Sequence, residues 1–299
     1  MIQIANAPCS WGVIENTEGE RDGYFRVINE MSATGYVGTE LGDWGFMPTN
    51  PDQLRADLDE RNLKLLASWV SVRLYDANYH QKGIDAAVRT ARLLAEAGGS
   101  DALIVIGDDH STVPLRHDNS GRITPEMMLD DAGWDEYCAG AMKVAEAVKK
   151  ETGLRAALHA HGATYVETPA EIDQFLARTD PDLVGFVYDT GHVHLGGGNA
   201  TETLVKHADR IWHVHFKDFD PAKVAIADEN GWGYQQLIAQ GMFCELGNGA
   251  VDFPTVKKAL ELIGYDGWIV VEQDMLQGMG DPKDSAQRNR DYLRSIGFE

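Results

Sequence analysis

The sequence predicts an α/β fold, a single (β/α)8 TIM barrel that occupies residues 1–299 as one domain. Three observations favour it: eight short apolar runs, a segment with helical features after each run, and no linker or break in composition between them. Connections long enough to hold a helix join parallel strands. Eight such units fit a closed barrel, whose usual length is about 250 residues. A doubly wound open sheet is the main alternative, but that fold requires no count of eight.

The eight apolar runs are the predicted strands. They span residues 2–11, 36–42, 64–72, 102–107, 155–161, 184–190, 211–217 and 267–273. In the segments that follow them, apolar residues recur every three or four positions and several segments end in glycine, as helices do. These predicted helices span residues 24–34, 51–62, 84–98, 135–153, 169–179, 200–209, 253–264 and 285–297. The longer connections, 108–130 and 218–250, predict insertions over one face of the barrel.

Composition excludes several classes of protein. The formal net charge is −21, and the acidic residues are spread along the chain, which argues against a nucleic-acid or anionic-membrane partner. No run approaches the roughly 18 apolar residues that span a bilayer, and the N-terminus lacks the pattern of a secretory signal. Cys9, Cys138 and Cys244 form no CxxC pair, so we expect a reducing cytoplasm and no disulfide framework. A homo-oligomer is left open.

Four consecutive predicted strands end in side chains that could bind a metal ion. In a TIM barrel the chemistry lies at the carboxyl ends of the strands, and alternate residues of a strand share a face. That alternation places four groups at equivalent depths: His159 or His161, Asp189, His215 and Glu272. Imidazole and carboxylate ligands suit Mn²⁺, Co²⁺, Zn²⁺ or Fe²⁺, with positions left for substrate oxygens. One such residue alone is more often a cap, but four in succession predict a metal site.

Other residues near the strand ends are candidates for substrate binding. Trp11 and Trp69 could form an apolar wall against a sugar ring, or could pack at the end of the barrel. Glu40 could hydrogen-bond substrate hydroxyls or cap a helix. His192 and Lys217 lie one step beyond ligand positions, from which they could touch substrate.

Two further features carry less information. His110 follows the predicted fourth strand and is interpreted as a loop residue. The sequence "GNG" at 247–249 could bind phosphate, as loops after the seventh strand of such barrels often do. No Arg or Lys lies beside it, so a non-phosphorylated sugar or polyol is favoured.

Several motifs resemble a known family. The segments "APCSWGV", "YDTGH", "HVHFKD", "LGNGAVDF" and "GYDGWIVVEQD" resemble the xylose-isomerase-like superfamily of sugar isomerases and epimerases, and within it the inosose (2-keto-myo-inositol) dehydratase family. The resemblance covers nearly the whole chain and is more specific in its second half. It implies a TIM barrel with one divalent metal ion, most commonly Mn²⁺ or Co²⁺, and Asp189, His215 and Glu272 match the family's ligands.

The fifth predicted strand departs from the superfamily's pattern. Many members read "ENH" there and bind the metal through the glutamate, whereas this chain reads "LHAH". His159 falls at the glutamate position and His161 at the family histidine. The fourth ligand is therefore open: His159 first, then His161, or Glu167 folding back. Because two-base epimerisation uses two carboxylates on opposite faces of the substrate, the loss of this glutamate favours elimination.

The resemblance thus implies a metal-dependent hydro-lyase of inositol catabolism. It would dehydrate a cyclic keto-polyol such as 2-keto-myo-inositol through a metal-stabilised enediolate. Glu272 or a strand-five histidine, His159 or His161, is the candidate base, and His192 or Lys217 is the candidate acid; His161 is also a candidate substrate contact. A ketose 3-epimerase or sugar isomerase on the same site is the first alternative, and a non-catalytic sugar-binding barrel is the second.

Overall fold

Eight parallel strands of the chain close into a barrel in the computed structural model, which describes residues 2–14, 23–110 and 112–299. This closed barrel confirms the predicted fold class. A further two strands pair antiparallel outside it. The described strands are β1 (Gln3–Asn6), β2 (Gly38–Glu40), β3 (Lys64–Val72), β4 (Leu103–Asp108), β5 (Arg155–His159), β6 (Val184–Asp189), β7 (Ile211–Phe216), β8 (Asp218–Phe219), β9 (Phe243–Cys244) and β10 (Trp268–Val271). Strands β8 and β9 form the outer pair, and β1 closes the barrel against β10.

Helices follow the barrel strands and cover their outer faces. Those described are α1 (Tyr24–Ala33), α2 (Pro51–Asp59), α3 (Ala77–Ala97), α4 (Pro114–Asp118), α5 (Asp131–Thr152), α6 (Pro169–Arg178), α7 (Thr190–Leu195), α8 (Ala200–Lys206), α9 (Pro221–Asn230), α10 (Tyr234–Ala239), α11 (Phe253–Leu262) and α12 (Pro282–Ser295). Short 3-10 turns span Pro8–Trp11, Pro125–Met127 and Ala208–Arg210. Among the helices of these described segments, none has the length and apolar content needed to cross a membrane.

Three helices begin earlier than the sequence predicts, and an aspartate caps each one. Helix α3 begins at Ala77, where the side chain of Asp76 accepts a backbone hydrogen bond from the first turn at 3.1 Å. Helix α5 begins at Asp131, where Asp130 accepts in the same way at 2.8 Å. Helix α12 begins at Pro282, where the side chain of Asp281 accepts a backbone hydrogen bond at 2.9 Å. Capping aspartates satisfy backbone N–H groups that have no partner inside the helix. The polar first turns carry too few apolar residues for periodicity to detect.

Apolar side chains fill the barrel interior and alternate with residues that face the helices. Ala5 and Val270 belong to the interior cluster. Their chain neighbours Ile4 and Ile269 belong to the larger cluster that includes the apolar faces of the helices. This alternation is the one expected of strands that are buried on both faces. The polar groups described below lie at the carboxyl ends of the strands, above this interior cluster.

The two insertions that the sequence predicts contain regular structure. Residues 218–250 form β8, α9, α10 and β9, and their apolar side chains cluster with Ala163 and Leu195 from the connections after β5 and β6. In residues 108–130, α4 carries Arg116, whose Nη1 lies 2.8 Å from Oε1 of Glu171 in α6. Both charges are completely buried. This ion pair fixes the first insertion to the barrel.

The buried pair gives a prediction about stability. Removing one partner leaves the other charge buried and uncompensated, so Arg116→Met should lower the free energy of unfolding by about 3–5 kcal/mol in urea denaturation. Arg92→Met is the matched control, because Arg92 pairs with Glu151 at 2.7 Å on the surface. An exposed pair contributes about 0–1 kcal/mol. Equal losses in the two variants would contradict a special role for the buried pair.

Candidate metal centre and substrate pocket

Four side chains from four neighbouring barrel strands converge at the carboxyl end of the barrel. His159 ends β5, Asp189 ends β6, His215 lies in β7, and Glu272 follows β10. The parallel register aligns Asp189 with His215, so the side chains reach the same depth. One candidate ligand atom from each residue lies within 4.8 Å of all the others. Nδ1 of His215 lies 3.2 Å from Nε2 of His159, 3.4 Å from Oε1 of Glu272 and 3.7 Å from Oδ2 of Asp189.

The donor set fits a divalent cation. Oδ1 of Asp189 accepts a hydrogen bond from the backbone N–H of His192 at 2.8 Å, but Oδ2 is buried with no hydrogen-bond partner among the described residues. A buried carboxylate oxygen without a partner is unfavourable. With this oxygen counted, the cluster offers two imidazole nitrogens and two carboxylate oxygens, ligands that Mn²⁺, Co²⁺, Zn²⁺ and Fe²⁺ accept. We call the four residues the metal cluster.

His161 lies outside the metal cluster, although it was a candidate for the fourth ligand. Its Nδ1 donates a hydrogen bond to the carbonyl of Gly162 at 2.7 Å. The neutral ring therefore carries its lone pair on Nε2, which accepts from the hydroxyl of Tyr234 at 3.2 Å. Burial, followed by the nearby His110 and His159, lowers the pKa of His161 well below its usual value. His161 is thus a neutral acceptor in the pocket wall.

Glu167, the other candidate for the fourth ligand, holds two loops together instead. Its Oε1 accepts from the backbone N–H of Gly121 at 2.6 Å, and its Oε2 accepts from the N–H of Ala163 at 2.7 Å and the hydroxyl of Ser120 at 3.1 Å. Burial raises the pKa of Glu167 to about 7, although the backbone hydrogen bonds act to lower it. Of the three candidates, the geometry brings only His159 into the metal cluster.

Lys217 is buried beside the metal cluster. Its Nζ lies 3.0 Å from Oε2 of Glu272 and 3.3 Å from Oδ1 of Asp274. Burial alone would lower the pKa of Lys217, but the charges of Asp274 and Glu272 outweigh it and raise the pKa well above its usual value. Lys217 is therefore an ammonium group. Both oxygens of Glu272 have partners, one in the metal cluster and one in Lys217.

His192 lies behind the pocket wall rather than in it. The backbone N–H of Gly162 donates to its Nδ1 at 3.0 Å, and its ring centroid lies 4.0 Å from that of His161. Nε2 lies 3.4 Å from Nζ of Lys217. Burial, then the charges that His161 and Lys217 can carry, lower the pKa of His192 well below its usual value. The expectation that His192 touches substrate has no direct support from this placement.

Glu40 lies at the end of β2 and reaches across the barrel. Its Oε1 accepts hydrogen bonds from Nε2 of His213 at 2.8 Å and from Nε2 of His215 at 2.9 Å. Burial alone would raise the pKa of Glu40, but the two histidines outweigh it and lower the pKa to about 2. The helix-capping alternative is therefore wrong. The contact with His215 joins Glu40 to the metal cluster, which the sequence did not indicate.

The two tryptophans differ in placement. Trp69 lines the pocket, and its ring centroid lies 5.2 Å from that of His161. Trp11 is buried in the core, and its indole N–H donates to Glu30 of α1 at 2.9 Å. The chain leaves β1 at Asn6 and forms the 3-10 turn that carries Trp11 away from the pocket. Of the two tryptophans only Trp69 lines the pocket, whereas Trp11 takes the packing alternative.

The pocket above the metal cluster is partly open to solvent, and its empty volume of about 640 Å³ includes part of that open space. Its described lining includes residues that the sequence did not assign to the site, among them Asp43, His110 and Asp274. The alternation of side chains that identified Glu272 also applies to Asp274, which lies two residues further along the chain. His110 likewise follows the end of a barrel strand. Among the described lining residues Lys217 is the one lysine and arginine is absent. Because the charge of Lys217 is already paired, the pocket disfavours anionic ligands.

Comparison with known proteins agrees with the resemblance seen in the sequence. The profile of the xylose isomerase-like TIM barrel family matches residues 28–296. An inosose dehydratase of Lacticaseibacillus casei is 31% identical over 293 residues, which cover 98% of this chain and 96% of that protein. An inosose dehydratase of Lactiplantibacillus plantarum is 32% identical over 276 residues, which cover 92% and 89%. The crystal structure of the IOLI protein with a zinc atom has a TM-score of 0.70 at 17% identity, with coverage of 99% and 98%, a likeness of fold alone.

The metal cluster predicts the result of a metal-content experiment. Asp189→Asn and His215→Ala should each lose bound Mn²⁺ or Co²⁺ after gel filtration, since each removes a ligand. Asp274→Asn is the control, because Asp274 is buried in the same pocket but is not a member of the cluster. A chelator should lower the melting temperature of the wild type and leave that of Asp189→Asn unchanged, because the ion binds the folded state. Full occupancy in both ligand variants would place the metal elsewhere.

Proposed function

This chain belongs to the xylose isomerase-like TIM barrel family, and we propose that it is a metal-dependent lyase that dehydrates 2-keto-myo-inositol (inosose) or a closely similar cyclic keto-polyol. The dehydratase relatives confirm the prediction of a hydro-lyase enzyme. The observation that supports this substrate class best is the pocket itself: a metal cluster with no uncompensated cation beside it among the described lining residues. Such a pocket suits an uncharged polyol with a ketone and neighbouring hydroxyl groups.

His159, Asp189, His215 and Glu272 would hold one divalent ion, with Mn²⁺ or Co²⁺ as the predicted metals. When bound, the ion supplies Lewis acidity that makes the proton next to the ketone easier to remove. The zinc atom of the IOLI structure belongs to that protein and supports a metal here only through the shared fold. Trp69 would pack against the ring of the substrate and exclude water from its apolar face.

The proton next to the ketone passes in this proposal to Nε2 of His161. That nitrogen carries a lone pair, and His161 lines the pocket without being a member of the metal cluster. Nε2 of His161 has only the neutral hydroxyl of Tyr234 as a partner, at 3.2 Å. Glu272 is a weaker candidate because one of its oxygens faces the metal cluster and the other pairs with the ammonium group of Lys217, and His159 is weaker because its Nε2 faces the metal cluster. As the C–H bond breaks, its electron pair forms the new double bond of the product.

Lys217 donates the proton that allows the β-hydroxyl to leave as water. Its ammonium group lines the pocket and is held by Glu272 and Asp274. The C–O bond breaks with its electron pair on oxygen, and Nζ provides the proton that completes the water molecule. A proton removed by His161 and one donated by Lys217 balance, so the site returns to its starting charge once the two groups re-equilibrate.

The proposal can be tested by the fate of the substrate in D₂O. With 2-keto-myo-inositol and Mn²⁺ or Co²⁺, we expect NMR to show a dehydrated dione accumulating, with little deuterated epimer. A panel of ketoses run in parallel is the control for isomerase activity. Rapid epimerisation of a ketose with solvent deuterium, and no dehydration of inosose, would make the chain an epimerase. Absence of both turnover and bound metal would instead support a non-catalytic sugar-binding barrel.

The role of His161 gives a second kinetic prediction. His161→Gln should lower kcat by about 10²–10⁴-fold, the range of general acid–base catalysis. Metal content should remain at the wild-type level, because His161 lies outside the metal cluster. Trp69→Phe is the comparison variant in the same wall, and it should raise KM more than it lowers kcat. If His161→Gln keeps nearly full turnover at saturating metal, the base is Glu272 or His159.

A further inference from the structure

His215 presents its two ring nitrogens to two different environments. Nδ1 belongs to the metal cluster, 3.4 Å from Oε1 of Glu272. Nε2 points away from it and lies 2.9 Å from Oε1 of Glu40. Both Glu40 and His215 are buried, so water does not compete freely for this contact. The carboxylate comes from β2, whereas the histidine comes from β7, so the contact crosses the barrel.

We propose that Glu40 is a positioning residue that fixes the tautomer and the orientation of His215 for metal binding. The inference rests on the metal centre of the proposed function. An ionised carboxylate only accepts hydrogen bonds, so Nε2 of His215 must carry the proton in this contact. A neutral imidazole then has its lone pair on Nδ1, the nitrogen that faces the metal cluster. Carboxylate partners of this kind orient metal-binding histidines and increase their basicity.

His213 holds Glu40 in the position that this role requires. Its Nε2 donates to the same oxygen, Oε1 of Glu40, at 2.8 Å. The rings of His213 and His215 meet edge to face, with centroids 5.0 Å apart. His213 is not a member of the metal cluster. Two N–H donors therefore use Oε1 of Glu40, and this oxygen is engaged by the protein rather than by substrate hydroxyls.

The same three residues also satisfy the distance criterion for a second cation, since their ligand atoms lie within 4.8 Å of one another. The N–O separations of 2.8 and 2.9 Å are ordinary lengths for N–H···O hydrogen bonds. A second ion would require His215 to lose both ring protons and bridge two metals. Hydrogen bonding needs no such change, and it accounts for every nitrogen that faces Glu40.

The test is a titration of Co²⁺ into the metal-free protein, followed by calorimetry and by visible absorption of the bound ion. Glu40→Gln should weaken Co²⁺ binding about 10- to 100-fold, the usual effect of removing such a partner. The amide can donate to Nε2 of His215, which favours the tautomer with the proton on Nδ1 and blocks the ligand atom, as an amide does beside a catalytic histidine. The absorption spectrum of the remaining complex should also change.

His213→Gln is the matched control. Its side-chain amide can still donate to the same oxygen of Glu40, and the substitution removes no atom from the metal cluster, so Co²⁺ affinity should stay within about threefold, well below the loss expected for Glu40→Gln. Circular dichroism of the metal-free proteins separates positioning from folding, because both variants should melt as the metal-free wild type does. If Glu40→Gln does not fold, Glu40→Asp serves instead, and its shorter side chain should give a smaller loss of affinity.

Three outcomes would overturn the inference. Equal Co²⁺ affinity and an unchanged spectrum in Glu40→Gln would show that Glu40 does not act on the metal ligand. Two Co²⁺ ions per wild-type chain, falling to one in His213→Gln, would show that the three residues bind a second ion. A wild-type protein that binds no Co²⁺ would remove the metal centre itself. Failure of the proposed function alone looks different, because inosose would not be dehydrated while Glu40→Gln still lost Co²⁺ affinity.

Discussion

The buried carboxylate of Asp189 is the constraint on which the rest of the site depends. Its Oδ1 accepts a hydrogen bond from the backbone N–H of His192 and so caps the start of helix α7. This cap fixes the direction of the chain after β6. Its Oδ2 is buried without a hydrogen-bond partner among the described residues, an arrangement that is unfavourable unless a cation approaches. Nε2 of His159 and Nδ1 of His215 lie 3.6 and 3.7 Å from it, too far for hydrogen bonds but suitable for sharing one ion. One side chain therefore ties the start of a helix to the metal centre.

The residues that follow Asp189 bring β6 and β7 together at the same point. The hydroxyl of Thr190 donates to the carbonyl of Lys217 at 2.7 Å and accepts from its N–H at 2.9 Å. A Cβ on Gly191 would lie 2.8 Å from Cγ of Lys217, so only glycine permits this approach. The backbone of Lys217 is thus held while its ammonium group extends to Glu272. This explains why an apolar strand ends in "DTGH": each residue positions a group of the site.

Strand alternation predicts which residues share a face, and for this reason Asp189, His215 and Glu272 could be placed together from the sequence. Alternation does not reveal where a strand ends. Strand β5 ends at His159, and the chain then turns, so His161 meets Tyr234 of the insertion instead of the metal cluster. Trp11 was misplaced for the same reason, because β1 ends at Asn6 and Trp11 lies in the turn beyond it. Contacts across the barrel, such as that between Glu40 and a histidine 175 residues later, leave no local pattern to detect.

The histidine at position 159, where the family resemblance implies a glutamate, bears on the choice between elimination and epimerisation. A carboxylate there could serve as a second base, whereas Nε2 of His159 lies within the metal cluster. The groups we assign to proton transfer contact the same ring, that of His192: its centroid lies 4.0 Å from that of His161, and its Nε2 lies 3.4 Å from Nζ of Lys217. Two groups on one flank can take a proton and give one without reaching opposite faces of a substrate. One of them is an ammonium ion held charged by two carboxylates, a donor rather than a base. In the mechanism that we propose, this pairing of a neutral acceptor with a charged donor fits the departure of water better than the two-base exchange that epimerisation requires.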